Sequence, residues 1–191
     1  MGSVPPQHGH LPRLAPEDYR GFVGVHWIMT VEARATGWLN DLFHARWREG
    51  MLHALVQHEL LCPVYCLMPD HAHFVWLGGS PGSDQRHAVT EFRRITNRLL
   101  APRRWQREAY DHVLREAERK RDAFGVACGY VLENPVRKNL IQDWKSYLYS
   151  GALVPGCPDL DPRRADFWEV FWTVYNQRIA AAPETAGKST P

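Results

Sequence analysis

The segment that decides the fold is residues 62–79, which read CPVYCLMPDHAHFVWLGG. Two apolar runs, Cys62–Leu67 and His71–Leu77, flank the turn residues Met68–Asp70, and two glycines close the second run. Runs of β-branched and aromatic residues on either side of a Pro-Asp turn are typical of a β-hairpin. The sequence therefore predicts two consecutive antiparallel strands here.

Further strands and helices are predicted on both sides of this hairpin. β-Branched and aromatic runs indicate strands, and apolar residues three or four apart indicate helices. The additional elements are a strand at Phe22–Val31, a helix from Asn40 or Asp41 to His58 or Glu59, a helix at Gln85–Leu100 capped by Ser83-Asp84, a short strand or turn at Tyr110–Leu114, a helix at Ala117–Glu133 ended by Asn134-Pro135, and a helix at Phe167–Ile179. The order β-α-β-β-α-(β)-α predicts an α+β protein with a ferredoxin-like antiparallel sheet and helices packed mainly on one face.

Length and composition indicate one globular region between two polar ends. The chain has 191 residues, of which 45% are hydrophobic and 23% charged, an ordinary globular balance. Residues 1–18 contain four prolines and predict a flexible N-terminal arm, and residues 182–191 predict a disordered tail. No apolar stretch approaches the roughly 18 residues of a membrane span, and no basic-then-apolar leader opens the chain. We therefore expect a cytoplasmic protein with no membrane partner.

The four cysteines indicate neither a disulfide framework nor a zinc site. They are too few and too irregularly spaced for a disulfide framework. A zinc site is not indicated because Cys62-x-x-x-Cys66 has no matching cysteine pair elsewhere in the chain. Strand alternation would place Cys62 and Cys66 with Val64 on one side of a strand. Buried core cysteines in a reducing compartment are therefore expected.

Positive charge is concentrated in one segment. The net charge is only +2, yet residues 86–121 hold 11 Lys and Arg against 5 Asp and Glu. Two interpretations stand: a surface for a polyanionic partner, and an ordinary solvated helix face. The candidates for contact with such a partner are Arg93, Arg94, Arg98, Arg103, Arg104, Trp105 and Arg107.

His71 and His73 lie two residues apart in a predicted strand. Such side chains point to the same face, about 7 Å apart along the backbone, whereas Ala72, Phe74 and Trp76 point to the other face. Two neighbouring neutral imidazoles are a starting point for a divalent-metal site. Two strand histidines facing solvent are the alternative, because His-x-His alone is a weak motif.

Tyr130 and Asn134 lie one turn apart near the end of the last core helix. At about 100° per residue, both fall away from the core stripe of Phe124, Cys128 and Val131, and they share a face. An amide oxygen can bind a hard metal ion, and a tyrosine beside it can act as a nucleophile. A helix-terminal amide and a rim tyrosine are the alternative. Combined with the histidine pair, these residues indicate a nucleophilic metal site.

Three parts of the chain together resemble one family of DNA-processing enzymes. Residues 65–73 (YCLMPDHAH) resemble the His-hydrophobic-His motif of the single-tyrosine HUH transposases of insertion sequences. Residues 105–115 (WQREAYDHVLR) and 130–137 (YVLENPVR) resemble the branch called REP-associated tyrosine transposases. The resemblance covers about residues 19–150, which would be the HUH transposase and nuclease domain. Residues 151–181 would then be a C-terminal extension with a helix.

This resemblance implies a reaction and a substrate. Tyr130 would be the nucleophile, and His71, His73 and Asn134 would hold Mg²⁺ or Mn²⁺; the related insertion-sequence enzymes carry a glutamine in place of Asn134. The substrate would be single-stranded DNA next to a hairpin of the repetitive extragenic palindrome (REP) type. Cleavage would leave a 5′-phosphotyrosine on the enzyme and a free 3′-hydroxyl, and a second 3′-hydroxyl would rejoin the strand, as in transposition and DNA recombination.

The basic segment would then be a DNA-binding surface, and the protein would be associated with the nucleoid. We expect its arginines and Arg137 to contact the DNA backbone, and Trp105 to stack on unpaired bases, with core packing as the alternative for Trp105. Both a monomer and a homodimer are compatible with the sequence. Two other functions stay open: a hairpin-binding protein without strand transfer, and a metal phosphodiesterase that uses water.

Overall fold

The computed structural model describes residues 14–114 and 123–181. Within these residues, strands and α-helices follow one another along the chain. They are β1 (Gly24–Thr30), α1 (Asp41–Gln57), β2 (Leu60–Met68), β3 (His71–Gly78), α2 (Gln85–Leu100), β4 (Tyr110–Leu114), α3 (Ala123–Leu132), α4 (Asn134–Arg137), β5 (Ser150–Leu153) and α5 (Phe167–Ala181). Short 3₁₀ helices lie at Pro16–Tyr19, Glu32–Arg34 and Trp144–Ser146.

The strands form one antiparallel sheet in the order β4-β1-β3-β2-β5. The hairpin predicted from residues 62–79 is the β2–β3 pair, in which Met68 lies opposite His71. The first four strands have the order and connections of a ferredoxin-like sheet. The predicted α+β class with an antiparallel sheet is confirmed. A short strand that the sequence did not indicate, β5, extends the sheet beyond β2.

Two helices begin at side-chain caps. The Asn40 side chain accepts a hydrogen bond from the Phe43 amide at 2.9 Å and starts α1. The Asp84 side chain accepts one from the His87 amide at 3.0 Å and starts α2. Each cap satisfies an amide that has no partner inside its helix. The bounds predicted for the second of these helices are the bounds of α2.

The sequence predicted helices mainly on one face of the sheet, but helices cover both faces, because apolar residues of β2 and β3 lie on each of them. The two longest, α1 and α2, pack on one face around fully buried aromatic residues that include Trp47, Phe74 and Phe92. The other face is covered by α3, which packs against Val75, and by α5, which packs against Leu77. We name these the α1–α2 face and the α3–α5 face.

The residues after 150 belong to the same core. Ser150 of β5 lies opposite Cys66 of β2. The hydroxyl of Tyr175 in α5 donates a hydrogen bond to the Gly78 carbonyl at 3.1 Å. The extension predicted at 151–181 is therefore continuous with the sheet.

An irregularity in β2 changes which side chains share a face. The register of β2 against β3 shifts between Leu61 and Val64. As a result Cys62 lies in the core of the α1–α2 face, whereas Val64 and Cys66 lie in the core of the α3–α5 face. The expectation that all three share one side is wrong for Cys62, because a bulge beside Pro63 interrupts the alternation.

The helical path continues through Pro135. α3 ends at Leu132, Glu133 keeps right-handed helical dihedrals (φ −78°, ψ −4°), and α4 begins at Asn134. The predicted end of the last core helix at Glu133 agrees within one residue with the end of α3, but a second short helix follows instead of extended chain. Pro135 lies in the first turn of α4, where a missing amide hydrogen leaves no helical bond unmade.

The predicted ends of the chain lie largely outside the described residues. Outside them are residues 1–13 of the predicted arm, the predicted tail at 182–191, and residues 117–122 of the predicted last core helix. Of the rest of the arm, Leu14 packs against the core and Pro16–Tyr19 form a 3₁₀ helix. Among the helices that the structure describes, none combines the length and the apolar character needed to cross a bilayer.

Candidate active site

Three histidines meet on the α3–α5 face of the sheet. Because side chains alternate along a strand, Phe74 points into the core of the α1–α2 face, and its neighbour His73 points the opposite way, with His71. His26 of β1 points to the same side, and its ring centroid lies 5.3 Å from that of His73. The structure thus brings a third imidazole to the pair predicted from the sequence.

The ring nitrogens of His71 and His73 face each other. Their Nε2 atoms are 2.9 Å apart, a distance that suits one N–H···N hydrogen bond. It also suits two ligands of one ion, because bonds of about 2.1 Å at a right angle place two nitrogens about 3.0 Å apart. The separation is therefore compatible with both Nε2 atoms binding one divalent cation.

Asp70 fixes the orientation of His71. Its Oδ1 lies 2.5 Å from His71 Nδ1, and its Oδ2 accepts a hydrogen bond from Arg34 at 2.8 Å. Burial opposes ionisation of Asp70, but the bonds from His71 and Arg34 outweigh it and hold the pKa of the carboxyl below its ordinary value. The ionised carboxylate accepts the Nδ1–H of His71, which leaves the lone pair of Nε2 free for a ligand.

His26 holds the corresponding position behind His73. Its Nε2 lies 3.1 Å from His73 Nδ1, and both rings are buried. Burial lowers the pKa of His73 to about 2 and the pKa of His26 to about 4, and neighbouring histidines act in the same direction. Both rings are therefore neutral at neutral pH, with one N–H and one lone pair each. When His73 donates its Nδ1–H to His26, the lone pair of His73 Nε2 faces His71.

Tyr130 of α3 lies against this row of histidines. Its ring meets His73 and His26 edge-on, with centroids 5.9 Å away in each case, and 41% of the residue is exposed. The guanidinium carbon of Arg137 lies 3.7 Å from the ring centroid, in cation–π contact. The phenol is thus held between a cation and the imidazoles while part of it stays accessible to a large substrate.

Asn134 begins α4 one turn after Tyr130 and is only 2% exposed. Its side-chain nitrogen donates a hydrogen bond to the Tyr130 carbonyl at 3.3 Å. The other polar atom of the amide, its oxygen, is the one able to meet a cation. Its role as a third metal ligand stays a prediction.

A metal site built on the histidine pair needs oxygen ligands. Across residues 14–114 and 123–181, no three His, Cys, Asp or Glu side chains are grouped so as to hold a metal ion. A cation bound by His71 and His73 would therefore be completed by the Asn134 oxygen, by phosphate or by water. Such oxygen donors suit Mg²⁺ and Mn²⁺.

The arginines predicted to contact DNA do not gather at this site, with one exception. Arg137 lies over Tyr130. The others belong to α2 or to the loop between α2 and β4, and Arg104 among them is paired with Glu32 at 2.7 Å. These more distant residues are Arg93, Arg94, Arg98, Arg103, Arg104 and Arg107.

Trp105 packs in the core. It is 2% exposed, and its indole nitrogen donates a hydrogen bond to Thr96 Oγ1 at 2.9 Å. Its ring meets that of Trp38 edge-on, with centroids 5.5 Å apart. Of the two interpretations of this residue, core packing is the one the structure shows. The expectation that Trp105 stacks on unpaired bases is wrong, because its ring is almost entirely enclosed.

Sequence reasoning missed two residues of the site. His26 lies in the predicted strand Phe22–Val31, on the side opposite Val25 and Trp27. A polar residue at that place in an apolar strand is the signal that could have identified it. Asp70 was interpreted only as a turn residue, although it directly precedes His71.

Comparison with known proteins shows a shared fold. No protein-family model matches the chain, and no curated protein matches its sequence. The solved structure of a REP-associated tyrosine transposase bound to a REP hairpin superposes with a TM-score of 0.61 and 15% identity, over 74% of this chain and 81% of that one. A candidate transposase from Deinococcus radiodurans R1 gives a TM-score of 0.42 and 12% identity, over 64% of this chain and 95% of that one. The first match confirms, at the level of the fold, the resemblance found in the sequence.

Proposed function

We propose that the protein is a metal-dependent DNA endonuclease and transposase that cleaves a single strand beside a hairpin through Tyr130. The observation that carries this proposal is a partly exposed tyrosine ring standing against a pair of converging imidazoles. The fold shared with a REP-associated tyrosine transposase supports the same function.

Three residues would hold the cation. His71, His73 and the oxygen of Asn134 would bind Mg²⁺ or Mn²⁺, which would polarise the phosphate oxygens of the bound strand. Asp70 and His26 keep the two imidazoles in the tautomer that presents Nε2. These two residues therefore prepare the site before DNA arrives.

Tyr130 supplies the nucleophile. Its hydroxyl oxygen forms a bond to phosphorus, and the bond from phosphorus to the 3′-oxygen of the DNA breaks. The phenolic proton passes through water to the departing 3′-oxygen. The protein then carries the 5′-phosphate, and the other DNA end is a free 3′-hydroxyl.

The covalent intermediate allows the strand to be rejoined. A 3′-hydroxyl attacks the phosphotyrosine, a new phosphodiester forms, and Tyr130 leaves and regains a proton. One phosphodiester replaces another at each step, so no ATP is needed. Arg137, which lies over the ring, is placed to offset the charge of the phosphate on Tyr130.

One chain supplies all of these residues. Within a single copy of the protein His71 contacts His73, His73 contacts Tyr130, and Arg137 lies over the Tyr130 ring. A monomer is therefore sufficient for the proposed site. The catalytic unit would be residues 19–150, with the 151–181 extension completing its sheet and core.

A cleavage assay tests the proposal. The protein is incubated with end-labelled, hairpin-bearing single-stranded DNA and Mn²⁺, and the products are separated on a denaturing gel. A covalent adduct that is absent in Tyr130→Phe supports the proposal. Binding without an adduct would indicate a hairpin-binding protein, and cleavage that persists in Tyr130→Phe would indicate a phosphodiesterase that uses water.

A further inference from the structure

A groove of about 700 Å³ lies between α1 and the segment that runs from Leu148 through β5 to Pro158. Its lining is mostly apolar, and two of its leucines, Leu52 of α1 and Leu148, are 40% and 72% exposed. Small-molecule sites in proteins are concave, mostly apolar and roughly 300–1,000 Å³ in volume. The size and lining of the groove are therefore those of a small-molecule site.

The groove is remote from the candidate active site. It lies at the β5 edge of the sheet, and β2 separates β5 from the strand that carries His71 and His73. α1 packs on the α1–α2 face, whereas Tyr130 lies against the histidines of the α3–α5 face. The cleavage reaction proposed above therefore does not use the groove.

The polar part of the groove is held by one buried hydroxyl. Tyr65 of β2 is fully buried, and its hydroxyl accepts a hydrogen bond from Arg48 at 2.5 Å and lies 2.9 Å from His44 Nε2. The backbone of β5 passes so close that a Cβ on Gly151 would lie 3.1 Å from this oxygen. A guanidinium offers several N–H donors, and in the part of the chain that the structure describes Tyr65 is the one hydrogen-bond partner of the Arg48 guanidinium. Arg48 is thus fixed in place with donors left for a ligand.

Two carboxylates also line the groove, and each has a partner nearby. Glu49 is paired with Arg46 at 3.0 Å. Asp41 accepts a hydrogen bond from the Tyr149 hydroxyl at 3.2 Å. Arg48 differs from them, because within residues 14–114 and 123–181 it forms no ion pair with a carboxylate. The groove thus offers an anion one cation that has no counter-charge of its own.

His44 adds no second cation to the groove. Burial, with Arg48 acting in the same direction, lowers the pKa of His44 to about 4, so this ring is neutral at neutral pH. A single guanidinium beside apolar walls suits a ligand with one anionic group and an apolar body. A polynucleotide backbone would instead require several cations, since each of its phosphates is charged. The polar and apolar parts of the groove together favour an amphipathic ligand.

The geometry points to a binding site for a small amphipathic anion in this groove. The carboxylate or sulfonate of such a ligand accepts hydrogen bonds from Arg48, and its aromatic or aliphatic body covers Leu52, Leu148 and Leu153. The two exposed leucines are then buried only in the liganded protein. The reaction at Tyr130 does not need this site, so the inference is independent of the proposed function.

Two fluorescent probes that differ only in charge test this site. 1-Anilinonaphthalene-8-sulfonate carries one sulfonate, and N-phenyl-1-naphthylamine has the same rings without it. Each probe is titrated into the full chain, and one equivalent of each is expected to bind. In Arg48→Met the Kd of the sulfonate probe is expected to rise about 10–100-fold, the effect of losing a hydrogen bond to a charged group. The Kd of the neutral probe is expected to stay unchanged.

Three further variants make the result specific. Arg94→Met removes a cation from an exposed position of α2, outside the groove, and is expected to leave both Kd values unchanged. Arg48→Lys keeps the charge and is expected to retain part of the affinity for the sulfonate probe. Leu148→Ser removes apolar surface at an exposed position and is expected to weaken both probes. Because the sulfonate probe also binds partly unfolded proteins, near-ultraviolet circular dichroism confirms that each variant is folded.

Several outcomes would overturn the inference. They are no binding of either probe to the folded chain, an equal rise of both Kd values in Arg48→Met, an equal effect of Arg94→Met, and unchanged binding in Leu148→Ser. Sedimentation velocity tests another occupant. A dimer that excludes both probes and dissociates in Leu148→Ser would show that the groove is an interface between two copies of this chain, and would overturn the inference as well.

Discussion

The two faces of the sheet use neighbouring residues of the same strands for different purposes. On the α1–α2 face, Phe74 and Trp76 of β3 are fully buried among other aromatic rings. On the α3–α5 face, His73 of the same strand has one ring nitrogen 2.9 Å from His71 and the other 3.1 Å from His26, beside an exposed tyrosine. The two-residue period of a strand thus separates packing from chemistry, because alternate side chains enter two different environments.

The largest effect is expected at the histidine pair. His71→Ala or His73→Ala removes one of the converging nitrogens, so cleavage of hairpin-bearing DNA should fall below detection on a denaturing gel. Hairpin affinity should be largely retained, because the arginines expected to contact the DNA backbone are untouched by these substitutions. His53→Ala, at an exposed position of α1, is the matched control. If a folded variant lost cleavage and hairpin binding to the same extent, the histidines would not act in cleavage alone.

The next largest effect is expected one residue away, on the opposite face. Phe74→Ala empties a fully buried site and should lower the free energy of unfolding by about 3–5 kcal/mol. Chemical denaturation of Phe74→Ala and His73→Ala measures the loss of unfolding free energy for one residue on each face. If His73→Ala were the more destabilising of the two, the main role of the histidines would be packing in the core.

A smaller effect is expected behind the site, at His26. His26→Ala leaves His73 Nδ1 without its partner, and removal of such a supporting residue lowers metal affinity by roughly 10–100-fold. Calorimetric titration with Mn²⁺ measures this without requiring cleavage. His26→Gln offers an amide oxygen to the same Nδ1–H and should recover part of the affinity. Equal Mn²⁺ affinity in all three proteins would show that His26 does not position His73.

The smallest effect is expected at Arg137. Arg137→Gln removes the cation over the Tyr130 ring, an interaction worth about 0.5–1 kcal/mol at an exposed position. Stability should therefore change little, while adduct formation slows because less charge offsets the phosphate. A time course of adduct formation, set beside hairpin affinity, distinguishes this effect from a general weakening of DNA binding. An unchanged rate of adduct formation would confine Arg137 to a structural role.

Local sequence patterns predicted much of this fold and several of the residues of the candidate site. The cap and periodicity of α2 and the Pro-Asp turn of the β2–β3 hairpin each depend on neighbours in sequence. β5 was not predicted, because its four residues become a strand only by pairing with β2. The bulge beside Pro63 likewise depends on the registers of both neighbouring strands, so alternation alone misplaced Cys62.

The candidate site shows the same limit. The faces of His71 and Tyr130 follow from spacing within one strand and one helix. The contact of His26 with His73 joins two strands, and the enclosure of Trp105 depends on Trp38 and Thr96. Residues whose environment is formed by distant parts of the chain were therefore the ones that sequence reasoning missed or could not assign to a single role.

Identification of the residue that becomes linked to DNA shows whether Tyr130 is the nucleophile. The protein is reacted with hairpin-bearing single-stranded DNA and Mn²⁺, digested with nuclease and protease, and analysed by tandem mass spectrometry. We predict a 5′-linked nucleotide on the phenolic oxygen of Tyr130. A nucleotide on any other residue, or cleaved DNA with every peptide unmodified, would exclude Tyr130 as the nucleophile.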